Sequence, residues 1–249
     1  MTEAALTIDG LGVSFAGFKA VDTFSMVVPQ GDVRVLLGAN GAGKTTLMDL
    51  ICGKTRASEG KVFLFDQDIT NLQEYRIARA GLARKFQIPS VFRELTVREN
   101  LTIACTAMHG VMGNMRLTST AQEQDRFDQV VETVGVGASL DRIAGALSHG
   151  ETQWLELGLL MGQGARVILL DEPTAGMTHA ETMKTAALIR RMQGTHTLLV
   201  VEHDMAFVRE IATRITVMHL GRFLAEGTVA QIEQNQQVRD AYLGNGGIR

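Results

Sequence analysis

Residues Gly38 to Thr46 read G-A-N-G-A-G-K-T-T. They fit G-x-x-x-x-G-K-[ST], a pattern in which backbone N–H groups wrap a polyphosphate. The glycines let the backbone approach a ligand closely, and successive N–H groups of such a turn converge on one anion. Asn40, Gly41, Ala42, Gly43, Lys44, Thr45 and Thr46 are therefore the expected phosphate contacts. Lys44 would reach the β- and γ-phosphates, and the Thr45 hydroxyl would sit on Mg²⁺. Two acids, Asp171 and Glu172, end an apolar run further on. Beside a magnesium nucleotide, Asp171 would hold the metal through water and Glu172 would polarise an attacking water. Gln87 has an amide able to bridge Mg²⁺ and that water, and His203 an imidazole able to bond the γ-phosphate. Neither residue identifies such a site alone.

Side chains so far apart in sequence meet only if the elements carrying them end at one edge. Val33, Val35, Leu36 and Leu37 form a strand-sized apolar run before the glycine-rich turn. Leu47, Leu50 and Ile51 recur after it at helical spacing, with Gly53 as a stop. Val167–Leu170, Leu198–Val201 and Ile215–Met218 are further strand candidates, and Ala180–Met192 reads as a helix closed by Gly194. This alternation predicts a parallel sheet with helices on its faces, whose ligands gather where strands end. Nearer the start, Leu6–Ile8, Val13–Phe15, Phe24–Val28 and Val62–Phe65 predict an antiparallel patch of short strands, broken at Gly10, Gly17 and Pro29 to Gly31. Phe15 would either stack an adenine from this patch or fill its core. Asn71 to Gly81 reads as a helix. Arg76, Arg79, Arg84 and Lys85 near its end suit a solvated face, with anionic headgroups as a second reading. From Val91 to about Gln163 the chain favours helix, with residues 106–120 its loosest part.

The expected fold is α/β: a P-loop (RecA-like) core with an N-terminal antiparallel β patch and an inserted α-helical lobe. The 249 residues suit one domain, with residues 1–87 and 164–249 as the core and 88–163 as the helical lobe. Net charge is −3 with no long basic stretch, so no nucleic acid is expected as a partner. The first ten residues carry Glu3 and Asp9, so no signal peptide is expected, and no apolar run is long enough to span a membrane. Cys52 and Cys105 are isolated and read as reduced thiols, and the six histidines show no metal-binding spacing.

Leu147-Ser148-His149-Gly150-Glu151 precedes a helix with apolar positions at Trp154, Leu155, Leu159 and Met161. Ser148 and Gly150 at that N-terminus would make a second anion site. A plain capping box between Ser148 and Glu151 fits S-x-x-E equally well. Two phosphate sites beside one phosphate loop suggest that a second copy completes the site.

Together these residues resemble the ATP-binding subunit of an ABC transporter, nearly end to end. Phe15 is similar to the family's adenine-stacking aromatic, Gly38–Thr46 to Walker A and Gln87 to the Q-loop. Leu147–Glu151 is similar to the LSGGQ signature, Val167–Glu172 to Walker B and His203 to the switch histidine. The resemblance implies ATP and Mg²⁺ as ligands, with Thr45, Gln87 and Asp171 on the metal and Glu172, His203 and Gln87 in catalysis. It implies a head-to-tail dimer, with a second copy or a paralogue, in which Ser148, His149, Gly150 and Glu151 close over the partner's nucleotide. Further implied partners are transmembrane permease subunits, met near Ile88–Arg98, and indirectly a periplasmic solute-binding protein. The place implied is the cytoplasmic face of the inner membrane, held peripherally.

Three positions depart from the family pattern: His149 for a glycine, Glu151 for a glutamine, and Thr178 for the aspartate of the D-loop. Slower hydrolysis is the expected consequence. Segments such as S-F-A-G-F-K-A, L-S-H-G-E-T-Q-W and E-P-T-A-G-M-T look most like urea importer ATPases, with branched-chain amino-acid importer ATPases as the alternative. A reading from another class is a nucleotide-regulated interaction module that does not hydrolyse ATP.

Overall fold

In a computed structural model, residues 3–85, 91–106 and 120–243 are described. β1 (Ala4–Phe15) and β2 (Phe18–Pro29) form an antiparallel hairpin turned by Ala16 and Gly17, both at positive φ. Where the sequence predicts short pieces broken at Gly10, β1 runs on through it. The register shifts between Ile8 and Leu11, and the Gly10 N–H bonds to Ser25 Oγ at 2.9 Å. A bulge absorbs the glycine without ending the strand.

β3 (Val33–Leu37) leads through the phosphate-loop turn into α1 (Lys44–Ile51). β4 (Glu59–Leu64) and β5 (Gln67–Asp68) complete a four-stranded sheet in the order β2-β1-β4-β5. α2 (Glu74–Arg79) is shorter than the periodicity predicts. Asn71 takes a left-handed conformation and its side chain bonds the Ala57 backbone, so the chain there is committed to a turn. β6 (Leu82–Arg84) follows.

After β6, the next described elements are helical: α3 (Val97–Thr106), α4 (Ala121–Val134), two short 3₁₀ turns, and α5 (His149–Gly162). Then β7 (Val167–Asp171), α6 (His179–Met192), β8 (Thr197–Val201), α7 (Met205–Ile211), β9 (Arg214–His219) and β10 (Arg222–Gly227) restore the alternation. α8 (Val229–Gln234) and α9 (Gln236–Leu243) close the described chain.

The six-stranded sheet has the order β10-β9-β3-β8-β7-β6, parallel throughout except for β10 against β9. Its inner strands are buried on both faces, which explains their unbroken apolar runs. Val33, Val35, Ile168, Leu170, Leu198 and Val200 face a core shared with α3, α4, α5 and α6. Leu36, Leu169, Leu199 and Val201 face the opposite way, onto α1 and the four-stranded sheet. Among the described residues, no helix is long and apolar enough to cross a membrane.

Candidate nucleotide-binding site

The turn from Gly38 to Gly43 hangs at the carboxyl edge of the six-stranded sheet, between β3 and α1. Gly43, the N-cap of α1, has φ 102°, and a Cβ there would lie 2.5 Å from the Ala20 carbonyl oxygen. No other residue would fit both the dihedral and the space. No side chain caps α1, and its first turn holds no acid. By contrast, α4, α5, α6, α7 and α8 each begin with a Thr, Ser or Asp side chain bonded to their own N–H groups. The first N–H groups of α1, at the positive end of the helix dipole, are left for an outside anion.

A cavity of about 390 Å³ opens over this turn, walled by the residues from Asn40 to Thr46 with Phe18, Ala20, Asp171, Glu172 and Val201. Lys44 folds back over the turn, donating from Nζ to the carbonyl oxygens of Gly38 at 2.7 Å and Ala39 at 3.1 Å. Burial pushes the Lys44 pKa down, partly offset by the Glu172 and Asp171 carboxylates. A partly dehydrated ammonium bonded to neutral carbonyls gains strongly from an arriving polyphosphate.

β7 delivers both acids. Asp171 is its last residue, and Glu172 sits just beyond at φ 47°, a costly conformation for a residue with a side chain. The Glu172 N–H bonds the Val201 carbonyl at 2.9 Å, which ties this turn to β8. His203 follows β8, with Nδ1 3.4 Å from Glu172 Oε1. The structure therefore brings Lys44, Asp171, Glu172 and His203 to one edge.

Several residues missed by sequence reasoning hold these in place. Buried Glu202 accepts from the His203 N–H at 2.9 Å, the Asp204 N–H at 3.3 Å and the Thr174 hydroxyl. It fastens the two turns that carry Glu172 and His203. Arg84, at the end of β6, donates to Asp171 Oδ2 at 3.3 Å and also pairs with Asp49. Next to it, Lys85 pairs with Glu156 of α5 at 3.7 Å, both side chains being buried. The solvated-face reading of the basic cluster fails for Arg84 and Lys85, which are interior ion pairs. It holds for Arg76 and Arg79, which lie over the exposed Tyr75 ring.

Phe15, expected to stack an adenine, does not line the cavity. It pairs with Phe18 across the hairpin turn, and Phe18 supplies the aromatic wall. Antiparallel pairing places the second phenylalanine of S-F-A-G-F nearer the phosphate loop than the first. Gln87 lies outside the described residues, as do Ile88, Pro89 and Ser90 of the expected permease contact.

Ser148, His149, Gly150 and Glu151 do not line this cavity in their own chain. Ser148 and Glu151 form the capping box of α5, and the Glu151 carboxylate also takes a 2.7 Å hydrogen bond from Arg142. Its charge is therefore paired within the lobe, with Arg142. His149 turns toward its own chain, with Nε2 3.2 Å from the Ala175 carbonyl oxygen. Thr178, in place of the usual aspartate, caps α6 in a box with Glu181.

Among the described residues, no group of three or more His, Cys, Asp or Glu could hold a metal ion alone. A magnesium ion bound with a nucleotide needs less, since it keeps waters and takes most of its ligands from phosphates. The exposed Thr45 hydroxyl and Asp171 share the cavity wall and fit that part.

Residues 21–175 match the family model described as ABC transporter. The chain belongs to that family. As an ABC importer subunit it is an ATPase whose activity is coupled to transport. Residues 224–247 match a second model, the branched-chain amino acid ATP-binding cassette transporter. The high-affinity branched-chain amino acid transport ATP-binding protein LivG of Escherichia coli (strain K12) is 35% identical, covering 98% of this chain and 99% of that one. BraF of Pseudomonas aeruginosa, named for the same transport, is 34% identical over 98% of this chain and 99% of its own length. Among solved structures, the ADP conformation of MJ1267, an ATP-binding cassette of an ABC transporter, superposes with a TM-score of 0.83 at 28% identity, covering 98% of this chain and all of that one. The family and the cassette fold agree with the sequence reading. The relatives' names point to branched-chain amino acids more than to urea.

Proposed function

We propose that this subunit hydrolyses ATP in the cavity over Gly38–Thr46 to power import of a small polar solute, with branched-chain amino acids as the leading class. The observation that carries the chemistry is the shared cavity wall, where an uncapped helix N-terminus and Lys44 face Asp171 and Glu172. In this reading the α1 N–H groups and Lys44 hold the phosphates, and Phe18 packs on the base. Thr45 and Asp171 would hold Mg²⁺, which when bound neutralises phosphate charge. Glu172 orients the attacking water. His203, beside Glu172, bonds the γ-phosphate, and Glu202 keeps both turns in register. Gln87 takes the role the resemblance gives it, next to the metal and the water.

Because Ser148 to Glu151 lie away from this cavity, the site is completed by the same edge of a second copy or a paralogue. Residues 88–163 act as the lobe that carries this edge. The stretch near Ile88–Arg98 meets the permease, and a periplasmic solute-binding protein acts through that permease. The subunit works peripherally, at the cytoplasmic face of the membrane.

A second reading, urea import, is favoured by one observation. The S-F-A-G-F-K-A and L-S-H-G-E-T-Q-W segments look most like those of urea importer ATPases, and 35% identity to LivG leaves room for a different solute. The test is phosphate release by the complex reconstituted with its permease and solute-binding partners. Stimulation by leucine supports the first reading, and stimulation by urea instead supports the second. Turnover that survives Glu172→Gln would remove hydrolysis from this cavity.

A further inference from the structure

The start of α5 is filled from within the chain. Glu181, three residues beyond the Thr178 cap of α6, accepts at Oε2 from the Thr178 N–H at 3.0 Å and the Thr178 hydroxyl at 2.9 Å. Its other oxygen, Oε1, accepts from Ser148 Oγ at 3.2 Å. Gly150 makes room for it: a Cβ there would lie 2.6 Å from Oε1. Hydrogen bonds from Thr178, Ser148 and the Gly150 amide hold the Glu181 carboxyl below its ordinary value of 4.5, with the Thr178 backbone N–H foremost. The Ser148 hydroxyl and the Gly150 amide are the donors that would meet a phosphate at this helix end. In this chain a carboxylate already takes the Ser148 hydroxyl and lies against Gly150.

We propose that Glu181 is an internal competitor for the signature site, a carboxylate that leaves Ser148 and Gly150 when the γ-phosphate held by a second copy arrives. The inference rests on the two-copy reading given above. One hydroxyl proton cannot serve both anions, so docking must break the Ser148–Glu181 bond. The Oε2 bonds to Thr178 need not break, so α6 keeps its cap while Oε1 is released. Each docking event therefore loosens a tie between α5 and α6, and the carboxylate raises the ATP concentration needed to close two copies together.

Glu181→Gln separates charge from fold, because glutamine at this position still completes a capping box. The comparison is made in the Glu172→Gln background to prevent turnover, with the dimer fraction followed by analytical ultracentrifugation against Mg-ATP. Adding Glu181→Gln is expected to lower the ATP concentration for half-dimerisation roughly tenfold, the scale of a hydrogen bond to a charged group. ATP binding by the dilute monomer should stay unchanged. Glu181→Met, which fills the space without an anion, should shift it in the same direction; thermal unfolding of both variants checks that they fold. Dimers forming at the same ATP concentration with and without Glu181 would overturn this inference alone. Failure of every variant to dimerise with ATP would overturn the two-copy reading and this inference with it.

Discussion

Two helix N-termini define the chemistry of this subunit, and they are built in opposite ways. α1 begins at a left-handed glycine with no side-chain cap and no acid in its first turn. α5 begins at Ser148 with a full capping box, and Glu181 lies against the same turn. The first end is incomplete until an anion arrives from outside. The second is satisfied by the chain itself and must give something up to accept one. An open end favours binding, while a filled end makes closure conditional. Placing one of each on the same chain suits a site that holds nucleotide first and closes over it second.

The largest expected effect comes from removing the cation at the open end. Lys44→Met should lower turnover at least ~100-fold, the scale of losing one preorganised charge partner of the transition state. The free protein should not lose stability. Burial depresses the Lys44 pKa, so the charged form is better solvated in the unfolded chain. Its ammonium therefore costs folding free energy at neutral pH, and methionine removes that cost. Phosphate release and the unfolding midpoint without nucleotide check the two halves. A clear loss of stability would mean that Lys44 serves the fold and that the open end is less open than described.

The next effect separates the hairpin phenylalanines. Phe18→Ala should weaken nucleotide binding by about 1 kcal/mol or more, the scale of a base–aromatic stack. Phe15→Ala should leave binding nearly unchanged, since Phe15 is not on the cavity wall. Titration with a fluorescent ATP analogue would rank them. The reverse ranking would restore the assignment drawn from the family resemblance.

This pair also shows which kinds of information the sequence held. Contiguous chemistry was legible: the phosphate loop carries its ligands within nine residues, and the strands behind it are buried on both faces. The fold class followed from that pattern. What resisted reading depends on pairing across space. Phe18 lies on the cavity wall and Phe15 does not, a difference set by the hairpin turn at Ala16 and Gly17. Arg84 and Lys85 looked like a solvated helix end because β6 is only three residues long, and their partners Asp49, Asp171 and Glu156 lie on three other elements. Thr178 and Glu151 read as departures that slow hydrolysis because the family pattern names residue types. In the structure both are cap residues, and S-x-x-E at Ser148 was already visible as a capping signal.

The smallest effect tests how the filled end is held. The Ser148 N–H, first, and then the Arg142 guanidinium lower the pKa of Glu151 below its ordinary 4.5. A carboxylate with a lowered folded pKa stabilises the fold fully above its unfolded value, and that stabilisation disappears as pH falls through the folded value. Glu151→Gln keeps an oxygen for the Ser148 N–H but gives Arg142 no charge to pair with. The pair is partly exposed, so at neutral pH the variant should be less stable by under about 1 kcal/mol. Urea unfolding repeated well below pH 4.5 should bring the two proteins together, because the native carboxylate is then protonated. A gap that persists in acid would show that the hydrogen bond to Ser148, and not the charge pair with Arg142, distinguishes glutamate from glutamine here. The filled end would then rest on capping geometry, with Glu181 as the carboxylate that the proposed displacement acts on.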